Sequence, residues 1–194
     1  MSGGAAPSRV LEIALPEWVD EVVDWNRRYL DDESRVRLVI ALSRENVERR
    51  TGGPFGAAVF ESATGTVVGV GVNCVERLGN AVLHGEVVAI MFAQRRVGSF
   101  TLGGPGSPAR ELVSSCEPCA MCLGATLWSG VQRLVFAADR ADASALAFDE
   151  GPVFPESYSY LERRGVRIDR DVLRAEAAAV LALYRDRGGL IYNR

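Results

Sequence analysis

Lysine is absent from this chain of 194 residues, and histidine occurs only once. All 22 basic residues are therefore arginines, and against 25 acidic residues they leave a net charge of −3. A nucleic-acid partner usually requires a basic surface, so this balance argues against one. The single histidine has a further consequence, because any site in this chain that uses an imidazole must use His84.

Long apolar runs are missing as well. No stretch approaches the roughly 18 apolar residues that cross a bilayer, and the opening residues, MSGGAAPS, lack the basic and apolar regions of an export signal. Cysteine is scarce but clustered, since three of the four lie at Cys116, Cys119 and Cys122. Such a cluster is a poor disulfide framework and a good metal site. We therefore expect a cytoplasmic protein with no membrane partner.

Strands and helices alternate along the sequence. Apolar residues at helical spacing predict helices over residues 16–30, 33–50, 84–96, 118–129 and 171–187, and residues 141–148 are weakly helical. Short β-rich runs predict five strands, at residues 56–61, 66–75, 110–114, 133–137 and 166–169. A break rich in glycine and proline is predicted at 151–155. This alternation indicates an α/β protein built as a three-layer α/β/α sandwich.

The spacing of the cysteines predicts a zinc site. Cys119 and Cys122 are three positions apart, so on a helix they share one face with Cβ atoms about 5–6 Å apart. Tetrahedral zinc needs its sulfurs roughly 3.8 Å apart, which two such side chains can reach. Pro118 suits the first position of that helix, and a helix N-terminus favours the thiolate. His84 supplies a third ligand, leaving the fourth position for a catalytic water.

Glu86 follows His84 by two residues, and residues two apart on a helix point in different directions. Glu86 is therefore better suited to face the metal-bound water than to bind the metal. There it would take the proton of the water and return it to the leaving group. Taken separately, a Cys-x-x-Cys pair can also be a redox pair, and a lone histidine is usually a core or surface residue. Cys116 precedes Pro118 and is expected not to bind the metal.

The motifs His84-Gly85-Glu86 and Pro118-Cys119-Ala120-Met121-Cys122 resemble those of the cytidine-deaminase superfamily. Within it the chain is similar to the bacterial guanine deaminases. The resemblance covers roughly residues 35–155 and includes the segment 53–59 and the strand that ends at Asn73. It implies a cytidine-deaminase-like α/β/α sandwich with a mixed sheet of about five strands, and one Zn²⁺ per subunit.

The resemblance also implies a reaction, the hydrolysis of a free aminated purine, with guanine giving xanthine and ammonia. Zinc-bound hydroxide would attack the amine-bearing carbon, and Glu86 would shuttle the proton. Alternatives are a related ring (an amino-triazine, another aminopurine or a pterin) or a nucleoside such as guanosine or cytidine. A tRNA adenosine deaminase is a weaker alternative, because it would need a basic surface for the phosphates, whereas this chain has a net charge of −3. A non-catalytic zinc-binding protein is the competing class, in which Glu86 would have no role.

Further positions match substrate contacts of the family. Asn73 matches an asparagine that hydrogen-bonds the purine, while Phe55 and Trp128 match aromatic positions around the base. Glu150 matches a second carboxylate that contacts the substrate and assists proton transfer, although aspartate is common there. His84 is expected to border the substrate as well as to bind zinc. Without the family, each of these residues has an ordinary structural explanation as a turn, core or surface residue.

The expected domain organisation is simple. Residues 1–10 should form a flexible tail, and residues 11–194 a single deaminase domain. Within it we expect an N-terminal helix extension over 11–32, a catalytic core over 33–155 and a C-terminal segment over 156–194. The resemblance implies a homodimer, in which the C-terminal segment can pack on the partner subunit or be swapped with it. The partner molecule is a small aminated heterocycle, and the expected role is in purine metabolism.

Overall fold

Five strands form one mixed sheet in the computed structural model of this chain, which describes residues 9–193. In chain order they are β1 (Gly56–Glu61), β2 (Val67–Val72), β3 (Arg110–Cys116), β4 (Arg133–Ala138) and β5 (Arg167–Asp169). Their order across the sheet is β2-β1-β3-β4-β5. β1 is antiparallel to both β2 and β3, whereas β3, β4 and β5 run parallel. The mixed five-stranded sheet expected from the sequence is confirmed.

Helices cover both faces of this sheet. Within residues 9–193 they are α1 (Val19–Val22), α2 (Asp32–Glu48), α3 (Val75–Leu78), α4 (Gly85–Val97), α5 (Ala120–Ser129), α6 (Arg140–Ser144), α7 (Pro155–Arg163) and α8 (Arg174–Asp186). α2 and α8 share one apolar core with the sheet, and α4, α5 and α7 share the other. The predicted three-layer α/β/α sandwich is therefore confirmed.

The two cores follow from the alternation of side chains along the strands. In β1, Ala58 and Phe60 face the core under α2, whereas Ala57 and Val59 face the core under α4. Every residue of β2 is buried, and its apolar sequence VVGVGV is typical of a strand covered on both faces. The sheet thus forms a rigid middle layer from which the strand ends and helix starts project.

A network of ion pairs ties α2 to the sheet. Glu111 of β3 is fully buried and lies 2.5 Å from the guanidinium of Arg35 and 3.0 Å from that of Arg133. Arg133 also contacts Asp32 at 2.7 Å and Asp169 at 2.6 Å. The network therefore joins the start of α2 to β3, β4 and β5, at the end of the sheet opposite to the C-terminus of β3.

The helix predicted over residues 16–30 is wrong, because only the short α1 forms there. The carboxylate of Asp24 accepts hydrogen bonds from the backbone N–H groups of Asn26 and Arg27, and such a local turn competes with helix formation. The N–H of Tyr29 then pairs with the carbonyl of Gly65 in the β1–β2 connection. The extension over 11–32 is thus mainly irregular chain packed on the domain.

The C-terminal part contains a helix that the sequence did not predict. The last residue of the predicted break, Pro155, is the first residue of α7, which continues to Arg163. Proline is favourable at the first helical position because its missing N–H would be unpaired there. The boundaries predicted for the other long helices and for the strands agree with the structure to within about three residues.

The predicted flexible tail lies mostly outside the described residues, which begin at residue 9. Over residues 9–193, no helix has the length and apolar character needed to cross a membrane. All four cysteines are buried and free of disulfide bonds.

Candidate active site

Three potential metal ligands meet at the start of two helices. His84 directly precedes α4, Cys119 directly precedes α5, and Cys122 lies in the first turn of α5. Their ligand atoms all lie within 4.8 Å of one another. His84 Nδ1 is 3.5 Å from Cys119 Sγ and 3.6 Å from Cys122 Sγ. The structure therefore brings together the three residues that the sequence suggests as zinc ligands.

The geometry of this cluster fits zinc. A tetrahedral ion with Zn–S of about 2.3 Å and Zn–N of about 2.0 Å places a sulfur and a nitrogen ligand about 3.5 Å apart. The two Nδ1–Sγ separations, 3.5 and 3.6 Å, match this value. Two thiolates and one imidazole form the three-ligand set of a catalytic zinc site, which keeps one position for water.

The cysteine segment enters its helix later than predicted. Pro118 was expected at the first helical position, but α5 begins at Ala120 and Cys119 has extended backbone angles of −66° and 173°. The N–H of Ala120 donates to the carbonyl of Glu150 at 3.0 Å. One of the N–H groups that a helix start leaves unpaired therefore holds the loop of Glu150 against the metal cluster.

Cys116 lies apart from the cluster. Its thiol points toward the carbonyl of Asp139, 3.7 Å away, and burial raises its pKa well above the ordinary value. Inside the cluster, the hydrogen bond from Cys122 lowers the pKa of Cys119 to about 4. The same hydrogen bond raises the pKa of Cys122. Cys119 is therefore a thiolate at neutral pH, and a bound divalent cation would displace the remaining proton.

Two buried carboxyl groups flank the cluster. Glu86, in the first turn of α4, is 6% exposed, and Glu150 is 9% exposed. Burial, followed by the charge of Cys119, raises the pKa of Glu86 to about 7 and that of Glu150 to about 8. A carboxyl group with a pKa near neutrality exchanges protons readily, which suits acid–base chemistry. A cation between the thiolates would favour the charged form of both carboxyl groups, those of Glu86 and Glu150.

Asn73 directly follows β2 and is completely buried. Its side-chain oxygen accepts a hydrogen bond from the N–H of Val75, but its Nδ2 donor has no partner. The N–H of Asn73 donates to the carbonyl of Phe55, and a Cβ on Gly85 would lie 3.2 Å from that same carbonyl oxygen. Glycine at position 85 therefore allows the start of α4 to lie close to the loop of Phe55.

An aromatic wall borders the cluster, and part of it was not predicted. The ring of Phe148 lies 5.2 Å from that of Phe55 and 5.2 Å from that of Tyr192, which in turn lies 6.3 Å from His84. Asn193 pairs with Asp149 through two hydrogen bonds, which fasten the C-terminal segment to the site within the same chain. A lone tyrosine near the end of a sequence gives no periodic signal, and the weaker family resemblance at Tyr192 and Asn193 was the one signal that could have found it.

The buried hydroxyl of Tyr192 has no hydrogen-bond partner, and burial raises its pKa well above the ordinary value. A Cβ on Gly53 would lie 2.6 Å from that hydroxyl, so the tyrosine lies directly on the loop before Phe55. Together with Nδ2 of Asn73, it is a second buried polar group that lacks a partner beside the cluster. A buried group of this kind points to a ligand that supplies the missing hydrogen bond.

Trp128 does not line the site in this chain, contrary to expectation. It lies six residues after Cys122 on α5, which places it about 9 Å further along the helix and on another face. The side chain is 79% exposed. The helical spacing that brings Cys122 to the cluster therefore carries Trp128 away from it.

The fold and the site together define a zinc-dependent hydrolytic deaminase. The α/β/α sandwich places a His/Cys/Cys cluster at two helix starts, and a buried glutamate stands two residues after the histidine, as in the zinc deaminases.

Comparison with known proteins identifies the family. The cytidine and deoxycytidylate deaminase zinc-binding region matches residues 30–138, and the chain belongs to this family. The guanine deaminase of Bacillus subtilis (strain 168) is 31% identical over 137 residues, 71% of this chain and 83% of that protein. The solved guanine deaminase from Nitrosomonas europaea is 37% identical to this chain, with a TM-score of 0.88. The match covers 94% of this chain and 100% of the Nitrosomonas chain.

A further solved structure, a complex with 2,6-diaminopurine, is 40% identical, with a TM-score of 0.88 and coverage of 95% of this chain and 97% of that chain.

Proposed function

We propose that this enzyme hydrolyses free guanine to xanthine and ammonia. The observation that carries the proposal is the set of buried polar groups beside the metal cluster, above all the unpaired Nδ2 of Asn73 and hydroxyl of Tyr192. A purine with exocyclic oxygen and nitrogen atoms offers acceptors and donors for such groups. Similarity to two guanine deaminases and to a protein that binds 2,6-diaminopurine supports a 2-aminopurine substrate.

The residues have separate roles in the proposed reaction. His84, Cys119 and Cys122 would hold zinc, which when bound would lower the pKa of a coordinated water to about 7. Glu86 would accept a proton from the attacking water and pass it to the ring nitrogen N3 as the bond to C2 forms, and would then carry the remaining hydroxyl proton to the departing amine. The C2–N bond breaks, a C2–O bond forms, and ammonia leaves. Proton transfer of this kind contributes roughly 10²–10⁴-fold to the rate.

The remaining contacts fix the ring. Glu150 would bind the N–H edge of the base and share the proton relay, because its carboxyl group lies close enough to interact with the charges of Cys119 and Glu86. Asn73 would donate to an acceptor on the ring, while Phe55 and Phe148 would border its faces. His84 would contact the ring on the side that faces the metal. Since Tyr192 lies beside His84, the site favours a free base over a nucleoside or tRNA.

The substrate assignment is tested by a panel of aminated rings. Zinc-loaded protein is incubated with guanine, guanosine, cytosine, cytidine, adenine and an amino-triazine, and ammonia release is measured. We expect kcat/KM for guanine to exceed the others at least about 100-fold, because a site built on hydrogen bonds rejects rings that leave its groups unpaired. A different best ring would keep the chemistry and change the substrate. Bound zinc with no turnover of any ring would favour a non-catalytic zinc protein.

We further propose that the enzyme is a cytoplasmic homodimer that acts in purine metabolism. Four buried free cysteines suit a reducing compartment. Exposed apolar side chains on α4 and α5, Met91, Met121 and Trp128, support an interface between subunits on this face. Light scattering of the wild type and of Trp128→Ala tests this: a dimer that the substitution weakens supports it, and a monomeric wild type rejects it. In the proposed dimer the C-terminal segment would lie against the site of its own chain, and an exchange of this segment between subunits is the alternative arrangement.

A further inference from the structure

A carboxylate outside the reaction site links the two loops that carry Cys119 and Glu150. Glu117 directly follows β3 and lies two residues before Cys119. Its carboxylate accepts a hydrogen bond at 2.9 Å from the backbone N–H of Arg140, one at 2.7 Å from the guanidinium of Arg140, and one from the hydroxyl of Tyr158. Glu117 is therefore held by α6 and α7, although these helices contribute no metal ligand.

The guanidinium of Arg140 holds a second loop at the same time. Its Nη1 donates to the carbonyl of Val153 at 2.7 Å, while Nη2 donates to Glu117 at 2.7 Å. Val153 lies three residues after Glu150, in the loop whose carbonyl at Glu150 caps α5. One planar side chain thus fixes the spacing between the cysteine loop and the Glu150 loop. Lysine, a single point donor on a flexible stem, cannot hold both with one rigid geometry.

The third member is immobilised by its surroundings. Tyr158 is 7% exposed, and the guanidinium of Arg170 lies 4.2 Å from the centre of its ring. The N–H of Glu117 also donates to the carbonyl of Ala138 at 2.8 Å, which extends the β3–β4 pairing up to the cysteine loop. The carboxylate is thus fixed from the sheet on one side and from α7 on the other.

We propose that Glu117, Arg140 and Tyr158 form a positioning clamp, which sets the distance between the zinc ligand Cys119 and the carboxylate of Glu150. None of the three is a catalytic residue, since each acts through the loops that it holds. The inference rests on the proposed deaminase function for its kinetic consequences, but its consequence for zinc affinity is independent of the substrate. Partners of this kind around metal ligands typically change metal affinity or activity about 10- to 100-fold.

The test uses Arg140→Met, which keeps most of the apolar stem and loses both hydrogen-bonding arms. The matched control is Arg164→Met, which removes an equal charge from an exposed position at the end of α7. Zinc dissociation constants are measured by chelator competition, and kcat and KM are measured at saturating zinc. We expect R140M to weaken zinc binding about 10- to 100-fold and to lower kcat over a similar range, with R164M close to wild type. Arg140→Lys should give intermediate values.

If R140M does not fold, Glu117→Gln and Tyr158→Phe test the clamp through the same measurements of zinc affinity, kcat and KM. We expect the double variant E117Q/R140M to lose no more than the worse single variant, since both substitutions disrupt the same contact between Glu117 and Arg140. Folded variants with zinc affinity and kcat within about twofold of the R164M control, or additive losses, would overturn the clamp. A wild type that binds zinc but deaminates no ring would reject the proposed function, while the zinc affinities would still decide on the clamp.

Discussion

At the scale of single residues, this site keeps polar atoms buried before any substrate binds. Asn73 Nδ2 and the hydroxyl of Tyr192 lack partners, and the carboxyl groups of Glu86 and Glu150 have raised pKa values. A buried polar atom without a hydrogen bond costs roughly 1–3 kcal/mol of stability. The proposed function gives a reason for keeping such residues, because the substrate would supply the missing partners.

Replacing Glu86 by glutamine should abolish turnover and leave zinc bound. The amide has the size of the carboxylate but cannot take up and return a proton, so we expect kcat to fall about 10²–10⁴-fold. Metal analysis and ammonia release check this result. The control is Glu156→Gln on the exposed surface of α7, which should behave as wild type. Activity of E86Q similar to that of E156Q would remove Glu86 from the mechanism.

Replacing Tyr192 by phenylalanine should separate stability from binding. The ring keeps its packing against Phe148 and His84, while the unpaired hydroxyl disappears. We expect the ligand-free protein to gain about 1 kcal/mol in free energy of unfolding, and KM for the substrate to rise. Urea unfolding and steady-state kinetics measure both effects, with the exposed Tyr160→Phe as control. Reduced stability with unchanged KM would mean that the hydroxyl has a structural partner.

At the scale of secondary-structure elements, the ion pairs of Glu111 should dominate the attachment of α2. Glu111→Gln leaves the guanidinium of Arg35, whose side chain is only 6% exposed, without its partner at 2.5 Å. Breaking such a buried pair costs about 3–5 kcal/mol. Glu33→Gln removes a carboxylate from an exposed pair with Arg37 on the same helix and should cost about 0–1 kcal/mol.

Urea unfolding measures both costs, and zinc content should stay at the wild-type level in both variants. Glu111 lies five residues before Cys116 on β3, about 17 Å along the strand from the cysteine loop. Equal costs for E111Q and E33Q would show that burial does not govern this network.

Asp32 gives the same network a pH dependence. The hydrogen bond from Arg133 lowers the pKa of Asp32 below its ordinary value. A lowered folded-state pKa contributes stability that is fully present above the unfolded-state pKa of about 3.9 and is lost as the pH falls through the folded-state value. We expect the difference in unfolding free energy between wild type and Asp32→Asn to shrink as the pH falls from 6 toward 3. A difference that grows toward low pH would contradict this sign.

The elements that the sequence did not predict correctly have local causes. Trp18, Val22 and Trp25 recur at helical spacing, yet Asp24 bonds to its own backbone and the segment turns toward the β1–β2 connection. Apolar periodicity reports which side chains become buried, and an irregular segment packed on a domain can show the same spacing. α7 was missed because glycine and proline at 151–155 indicated a break, whereas Pro155 is the first residue of a helix.

At the scale of the whole molecule, zinc removal should inactivate the enzyme without unfolding it. None of the three zinc ligands belongs to the apolar cores on the two faces of the sheet, so we expect these cores to hold the fold. We expect a chelator to abolish ammonia release, to leave the far-ultraviolet circular dichroism unchanged at room temperature, and to lower Tm by on the order of 10 °C. Added zinc should restore activity. Loss of the circular dichroism signal on chelation would make the ion part of the fold itself.

Without the family resemblance, the sequence predicts the geometry of the candidate site only for residues that are close together on one helix or strand. Cys119 and Cys122 share a helix start, and Glu86 follows His84, so short-range rules apply to them. Asn73 came from a family resemblance alone. Tyr192 reaches the site through a long-range return of the chain, for which one sequence has no periodic signal.

This return of the chain divides the enzyme into two functional parts. The family match ends at residue 138, and within that part lie the metal ligands and Glu86. Phe148, Glu150 and Tyr192, which would border the base in the proposed reaction, all come afterwards. In the proposed reaction, the metal ligands and part of the choice of ring are thus encoded in different stretches of one polypeptide. We therefore expect exchange of residues 139–193 between relatives to alter selectivity while the metal ligands and Glu86 stay in place.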